Sequence, residues 1–160
     1  MNPNKEWYRK GLRDGLPIAL GYVSVSFAFG IQATSLGLTP LQAVLISFFN
    51  LTSAGQLAGL QLMAVGAPLV EMALTQLTIN LRYALMSLAL GQKFGPSVGT
   101  GRRLACAFFN TDEIFALGMA REGKLTPAYF LGAGTVAALG WTGGTAMGAL
   151  AGSVLPLSVR

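Results

Sequence analysis

The sequence predicts an all-α, polytopic membrane protein, and three observations lead to that prediction. From Gly15 to Val70 the chain has 56 consecutive residues without Asp, Glu, Lys or Arg. A second uncharged run extends from Leu125 to Val159. Only 11 % of all residues are charged, too few to cover a soluble domain. Because a helix crosses the hydrocarbon core in about 20 residues, the first run alone is long enough for two crossings.

The chain is predicted to form one membrane domain, residues 1–160, that begins with a basic cytoplasmic segment, residues 1–14. Its five apolar helical segments are 16–36, 40–66, 68–92, 103–120 and 126–156. Three prolines, Pro40, Pro68 and Pro127, fall where first helical turns are expected, the position at which a helix best tolerates proline. The Gly- and Pro-rich stretch 94–101 is predicted to be a loop.

Composition excludes several function classes. The chain has no histidine and a single cysteine, Cys106, so it offers no internal disulfide and no His- or Cys-based metal site. We therefore expect no metal, no cofactor and no enzymatic activity. The net charge of +5 comes from clusters at the ends of the apolar segments. That distribution sets membrane orientation and is not typical of a nucleic-acid-binding face.

Two of the five segments are interrupted at mid-length by polar residues. Segment 40–66 holds the run from Asn50 to Gln56, and segment 103–120 holds the run from Asn110 to Glu113. Similar four-residue stretches lead into these runs at an offset of 60 residues. They are Ser47-Phe48-Phe49-Asn50 and Ala107-Phe108-Phe109-Asn110. This match either marks an internal repeat or arises by chance in a chain rich in Phe, Leu and Ala.

The positions of the basic clusters bear on how the interrupted segments cross the membrane. If all five segments cross and the N-terminus is cytoplasmic, the loop with Lys93, Arg102 and Arg103 lies outside, against the positive-inside tendency. If 40–66 and 103–120 are re-entrant, all basic clusters are cytoplasmic. The chain is then an inverted repeat, the plan of many secondary transporters, in which broken helices form the site. A bundle of five full spans is the alternative.

Four ionisable residues lie inside or at the ends of apolar segments, where such groups usually have a function. Arg82 needs an anionic partner, and Asp112 or Glu113 is expected to supply it. Either Asp112 or Glu113 is predicted to bind and release a coupling proton while the other carboxylate stays paired with Arg82. The alternative is a purely structural ion pair. Glu71 lies one turn after Pro68, and we interpret it as an interfacial charge at a helix N-terminus rather than as a functional residue.

The polar groups of the interrupted segments are the predicted substrate-binding residues. An unwound stretch exposes backbone N–H groups to a carboxylate and C=O groups to an ammonium, the two ends of an amino acid. The alternative is a kinked helix whose Ser and Thr bond back to its own carbonyls. The predicted residues are Asn50, Ser53, Gly55, Gln56, Asn80, Arg82, Tyr83 and Asn110.

The last segment has glycine at every fourth position, at Gly140, Gly144, Gly148 and Gly152. Such a stripe lies on one helix face and lets another helix approach closely. We expect a helix contact, left facing a second copy of the chain or a small partner subunit.

Five short stretches occur in order along nearly the whole chain. They are Gly15-Leu16-Pro17-Ile18-Ala19-Leu20-Gly21-Tyr22, Phe27-Ala28-Phe29-Gly30, Ser53-Ala54-Gly55, Asn80-Leu81-Arg82-Tyr83-Ala84-Leu85-Met86-Ser87 and Thr111-Asp112-Glu113-Ile114-Phe115-Ala116. Together they resemble the AzlC family, the large subunits of bacterial branched-chain amino acid exporters. Family members are usually longer, and often have histidine where this chain has Tyr83. That difference removes one possible proton site.

The resemblance implies a multi-pass permease of the bacterial cytoplasmic (inner) membrane. It implies export of branched-chain or related hydrophobic amino acids such as Leu, Ile, Val and Met, with a small AzlD-type membrane subunit as partner. A homo-oligomer in the lipid bilayer is also expected. The alternative function is a non-transporting assembly or regulatory subunit, or a shortened permease that is inactive alone.

Charge clustering predicts that the N-terminus and the loop between Lys93 and Arg103 share the cytoplasmic side. A cysteine placed at Ser97, with Cys106 replaced by serine, should resist an impermeant thiol reagent in intact cells and react in inverted vesicles. Labelling of Ser97→Cys in intact cells would instead support five full spans.

Overall fold

The computed structural model describes residues 3–154 as seven helices, with no strand in that range. The helices are α1 (Pro3–Ser35), α2 (Pro40–Phe49), α3 (Ser53–Ala64), α4 (Leu69–Phe94), α5 (Thr100–Phe108), α6 (Asp112–Met119) and α7 (Pro127–Val154). The prediction of an all-α fold is confirmed. Among the described helices, α1 is the one that is long and apolar enough, by length and composition, to cross a membrane.

Two helix starts differ from the sequence prediction. Helix α1 begins at Pro3 rather than at residue 16, so the basic N-terminal residues belong to the helix, which continues through Pro17. Helix α5 begins at Thr100 rather than at residue 103, because the extended Gly99 ends the preceding loop and its carbonyl accepts the first helical N–H groups. The last two residues of predicted segment 126–156 lie outside the described range.

Both predicted interruptions are confirmed. Helices α2 and α3 are separated at residues 50–52, and helices α5 and α6 at residues 109–111. In each case a threonine caps the second helix. The Thr52 hydroxyl accepts a hydrogen bond from the Gly55 N–H at 3.3 Å, and the Thr111 hydroxyl accepts one from the Ile114 N–H at 3.4 Å. These caps satisfy N–H groups that a helix start leaves unpaired.

The order of elements supports an internal repeat. Two short helices followed by a long one occur first as α2–α3–α4 and again as α5–α6–α7. At the end of the first short helix of each set, two phenylalanine rings pack edge to face. Phe48 and Phe49 have ring centroids 5.1 Å apart at 85°, and Phe108 and Phe109 have them 5.0 Å apart at 86°. Re-entrance and an inverted orientation of the two halves remain predictions.

The chain forms two compact units, each built from non-contiguous segments. The first unit comprises Met1–Leu20 and Arg82–Leu139, and the second comprises Gly21–Leu81 and Gly140–Arg160. Each unit therefore contains one interrupted helix pair, α5–α6 in the first and α2–α3 in the second. The long helices α1, α4 and α7 each contribute one part to each unit.

In the first unit, two basic side chains donate hydrogen bonds to backbone carbonyls near helix C-termini. The Lys93 ammonium donates to the carbonyls of Met119 (3.1 Å), the last residue of α6, and Arg121 (2.6 Å), two residues beyond it. The Arg103 guanidinium donates to the carbonyls at the end of α4 and in the following loop, those of Gly91, Gly95 and Val98. Cations are favourable at helix C-termini, so these two charges stabilise the fold.

In the second unit, the glycine stripe of α7 packs against α1. A Cβ atom at Gly148 would collide with the Phe27 carbonyl, and one at Gly144 with the backbone of Val23. Gly152 meets the Thr34 side chain in the same way. The stripe is therefore covered by α1 of the same chain, and the expectation that it faces a second copy or a partner subunit is wrong. The reason is that Gly30 of α1 provides a matching close approach.

Helix α4 instead presents a continuous apolar face. Leucine or valine side chains that are 59–82 % exposed follow one another at steps of mostly three or four residues: Leu69, Val70, Leu74, Leu77, Leu81, Leu85 and Leu88. Such spacing places them on one helix face. An exposed face of this kind is suited to contact with hydrocarbon or with another apolar helix.

The glycines of α7 allow a matched stability test. Gly148→Ala should destabilise the protein by about 1–3 kcal/mol, because the new methyl group overlaps the backbone of α1. Gly143→Ala is the control, because nothing lies within 4 Å of its Cβ position, and it should be neutral or stabilising by up to about 1 kcal/mol. Thermal unfolding in detergent measures both. Equal stability of the two variants would contradict this packing.

Candidate functional site

A cavity of about 240 Å³ lies in the second unit beside the interruption between α2 and α3. Most of its lining is apolar and consists of Phe29, Ile46, Phe49, Leu60, Met63 and Met72. Three amide side chains, Asn50, Gln56 and Gln76, also line it. An apolar cavity with a few polar groups at fixed positions is typical of a small-molecule binding site. Its volume is below the roughly 300 Å³ at which drug-sized pockets begin, so its ligand must be small.

A buried hydrogen-bond network holds the wall of this cavity. The Trp141 indole N–H donates to Gln56 Oε1 at 3.0 Å, and Gln56 Nε2 donates to the Ser47 hydroxyl at 3.0 Å. Ser47 and Thr145 then share a hydrogen bond of 2.6 Å between their hydroxyl oxygens. All four side chains are at most 4 % exposed. Both ends of the Gln56 amide are thus engaged, so it fixes α2 and α3 to α7.

Helix α4 brings two further amides to the same interruption. Gln76 Nε2 donates to the Gly55 carbonyl at 2.8 Å, and Asn80 Nδ2 donates to Gln76 Oε1 at 3.2 Å. Sequence reasoning selected Asn80 and Gly55 but missed Gln76. The signal was its spacing, because residues four apart on a helix share a face.

The predicted substrate residues fall into two groups. Asn50, Gly55, Gln56 and Asn80 come together in the second unit around the cavity. Ser53, at the start of α3, is exposed and does not line it. The remaining predicted residues, Arg82, Tyr83 and Asn110, belong to the first unit together with the coupling candidates Asp112 and Glu113.

The first unit contains the predicted ion pair of Arg82. Its guanidinium lies 2.9 Å from the Asp112 carboxylate and 5.2 Å from the centre of the Tyr83 ring. The pair was expected to be buried, but the two side chains are 47 % and 43 % exposed. The reason is that Arg82 follows Leu81 on the outer face of α4, while Asp112 lies at the exposed first turn of α6.

The second interruption has its own buried amide. Asn110 is 6 % exposed, and its Nδ2 atom donates to the Ser87 hydroxyl at 3.3 Å. Its Oδ1 atom has no hydrogen-bond partner among the described residues. Ser87 also lines a smaller cavity of about 190 Å³ between α4 and α5. Glu113 is exposed on α6.

A polar cluster near the start of α1 was also missed. The Tyr129 hydroxyl donates to the Asp14 carboxylate at 2.9 Å, and the Arg121 guanidinium lies over the rings of Tyr129 and Trp7. Asp14 precedes the long uncharged run, so sequence reasoning treated it as part of a solvated terminus. Across residues 3–154, no three His, Cys, Asp or Glu side chains come together in a way that would hold a metal ion.

The fold and these sites define an all-α membrane protein in which two interrupted helices carry most of the buried polar groups. The sequence model of the AzlC protein family matches residues 17–155, and the chain belongs to this family.

Two curated relatives are similar over nearly all of this chain. The inner membrane protein YgaZ of Escherichia coli is 31 % identical over 157 residues, which cover 96 % of this chain and 64 % of the relative. An uncharacterized membrane protein of Archaeoglobus fulgidus is 33 % identical over 153 residues, covering 94 % of this chain and 65 % of the relative. The chain thus spans slightly less than two thirds of the length of both. No solved structure matches it significantly.

Proposed function

We propose that this chain is the large subunit of a secondary active exporter of branched-chain or related hydrophobic amino acids. The proposal places it as a multi-pass protein in the cytoplasmic (inner) membrane, working with a small AzlD-type subunit. The observation that carries the proposal is the apolar cavity bordered by amide groups at the interruption between α2 and α3. Membership of the AzlC family supports the same assignment.

The lining of the cavity fits an aliphatic amino acid. Leucine, isoleucine, valine and methionine each combine an apolar side chain with an ammonium and a carboxylate. Residues Ile46, Leu60 and Met63 provide contacts for the apolar part. The side-chain amide of Asn50, which makes no hydrogen bond among the described residues, can serve the charged end. Burial of an aliphatic side chain supplies affinity of about 25 cal/mol per Å² of apolar surface.

The ion pair of the first unit is the proposed coupling element. Arg82 lies 2.9 Å from the Asp112 carboxylate, and a proton taken up by a carboxylate in α6 would weaken the pair. Partial exposure of both side chains gives a proton a route to Asp112. Glu113, one residue further along α6, is the second proposed proton carrier. Ionisable groups at membrane depth commonly serve as proton relays in this way.

A second candidate function follows from the exposed face of α4. Its row of leucines suits contact with another apolar helix, as expected for a non-transporting assembly or regulatory subunit. In that case the cavity would be a packing defect without a ligand. A permease that is inactive without further segments or its partner is a third candidate.

Export is tested by measuring efflux of preloaded leucine from cells that express the chain with and without a small AzlD-type subunit. We expect faster efflux when both are present. Asp112→Asn should slow it by about twofold to fivefold, because it weakens a half-exposed ion pair worth roughly 0.5–1 kcal/mol. Glu122→Gln, in the exposed loop after α6, is the matched control and should leave efflux unchanged. No leucine efflux from either cell line, with the protein present in membranes, would favour the second candidate.

A further inference from the structure

The amides of α4 form a hydrogen-bond chain that ends beside the cavity of the second unit. The chain runs from the Gly55 carbonyl to Gln76 and on to Asn80, with bonds of 2.8 and 3.2 Å. Its last atom, Asn80 Oδ1, is buried and has no hydrogen-bond partner among the described residues. Gln76 and Gly55 line the cavity, and Asn80 follows Gln76 by one turn of α4.

The direction of this chain is fixed by its first member. A backbone carbonyl only accepts hydrogen bonds, so Gln76 must present its NH₂ group to Gly55. Its Oε1 atom therefore faces Asn80, which must in turn present its own NH₂ group. The atom left over at the end is necessarily the oxygen of Asn80. Rotating either amide would place two donors or two acceptors against each other, and the chain therefore ends on an acceptor.

Glycine at position 55 makes this arrangement possible. A Cβ atom there would lie 2.8 Å from Gln76 Oε1 and 3.4 Å from Asn80 Nδ2. Gln76 can reach the carbonyl of the first turn of α3 only because no side chain stands in the way. The absence of a side chain at Gly55 therefore allows both the close approach of α3 and α4 and the hydrogen bonds of the amide chain.

A buried acceptor without a partner is costly, and α4 is otherwise rich in leucines that would avoid this cost. We propose that the chain of Gly55, Gln76 and Asn80 is the subsite that recognises the amino group of the transported amino acid; this rests on the proposed function of the cavity. An ammonium group donates to Asn80 Oδ1 and completes the chain. A carboxylate has only acceptor atoms, so it is excluded from this end of the site.

The subsite makes a prediction about three ligands that share the isobutyl side chain of leucine. Leucine has both an amino group and a carboxylate, 3-methylbutylamine has the amino group without the carboxylate, and 4-methyl-2-oxopentanoate has the carboxylate with a ketone in place of the amino group. Leucine and the amine should bind more tightly than the oxo acid. A charge-assisted hydrogen bond corresponds to about 10- to 150-fold in affinity.

Binding can be measured on the purified full chain by fluorescence. The variant Trp7→Phe keeps Trp141 as the sole tryptophan, and its indole donates to Gln56 on the cavity wall. In this background, Asn80→Leu should reduce the preference for leucine over the oxo acid by about tenfold or more. Asn80→Gln keeps an amide with both a donor and an acceptor and should retain the preference. The matched control is Thr78→Val, since the Thr78 hydroxyl is exposed and bonds only to Leu74 of its own helix.

The outcomes separate this inference from the proposed function. Binding of leucine with the predicted preference, lost in Asn80→Leu and kept in Asn80→Gln and Thr78→Val, supports both. Equal binding of leucine and the oxo acid by the parent, or an unchanged preference in Asn80→Leu, overturns the amino-group subsite and leaves the cavity as a leucine site. No binding of any of the three ligands overturns the proposed function and the subsite together.

Discussion

The main constraint on this molecule is that an interrupted helix must satisfy its free backbone groups where water is scarce. In hydrocarbon each unpaired N–H or C=O group costs several kcal/mol, so non-helical backbone survives only when protein surrounds it. Both interruptions meet this requirement with side chains. Thr52 and Thr111 cap the helices that follow, and the network through Gln56 ties the two sides of the first interruption to α7.

The long helices supply most of these supporting groups. Trp141 and Thr145 of α7, together with Gln76 of α4, support the interruption of the second unit. Ser87 of α4 supports the interruption of the first unit by accepting a hydrogen bond from Asn110. Three of the polar groups that stabilise the interruptions also line the cavities beside them, namely Gln56 and Gln76 in the second unit and Ser87 in the first. A binding site arises at these places because an irregular backbone needs polar neighbours and leaves space that regular helix packing would fill.

The sequence predicts some of these features and misses others for definable reasons. The interruptions are predictable because polar residues stand at mid-length in apolar runs, and Arg82 was correctly paired because a cation there needs an anion. The exposure of that pair was missed because a single sequence does not say which face of α4 packs inward. Gln76 was missed because its importance depends on Gly55, which is distant in sequence. The glycine stripe revealed close packing but not its partner, since a single sequence does not say which other helix meets it.

The central claim is that Gln56 holds the first interruption in place. Hydrogen exchange of residues 50–56, followed by mass spectrometry in detergent, tests it directly for the variants Gln56→Leu and Gln61→Leu. Gln61 is exposed on the same helix and serves as the control. We predict faster exchange in Gln56→Leu alone, because Trp141 and Ser47 lose their shared partner and local opening becomes easier. Equal exchange in both variants would show that the interruption does not depend on this network and would contradict the claim.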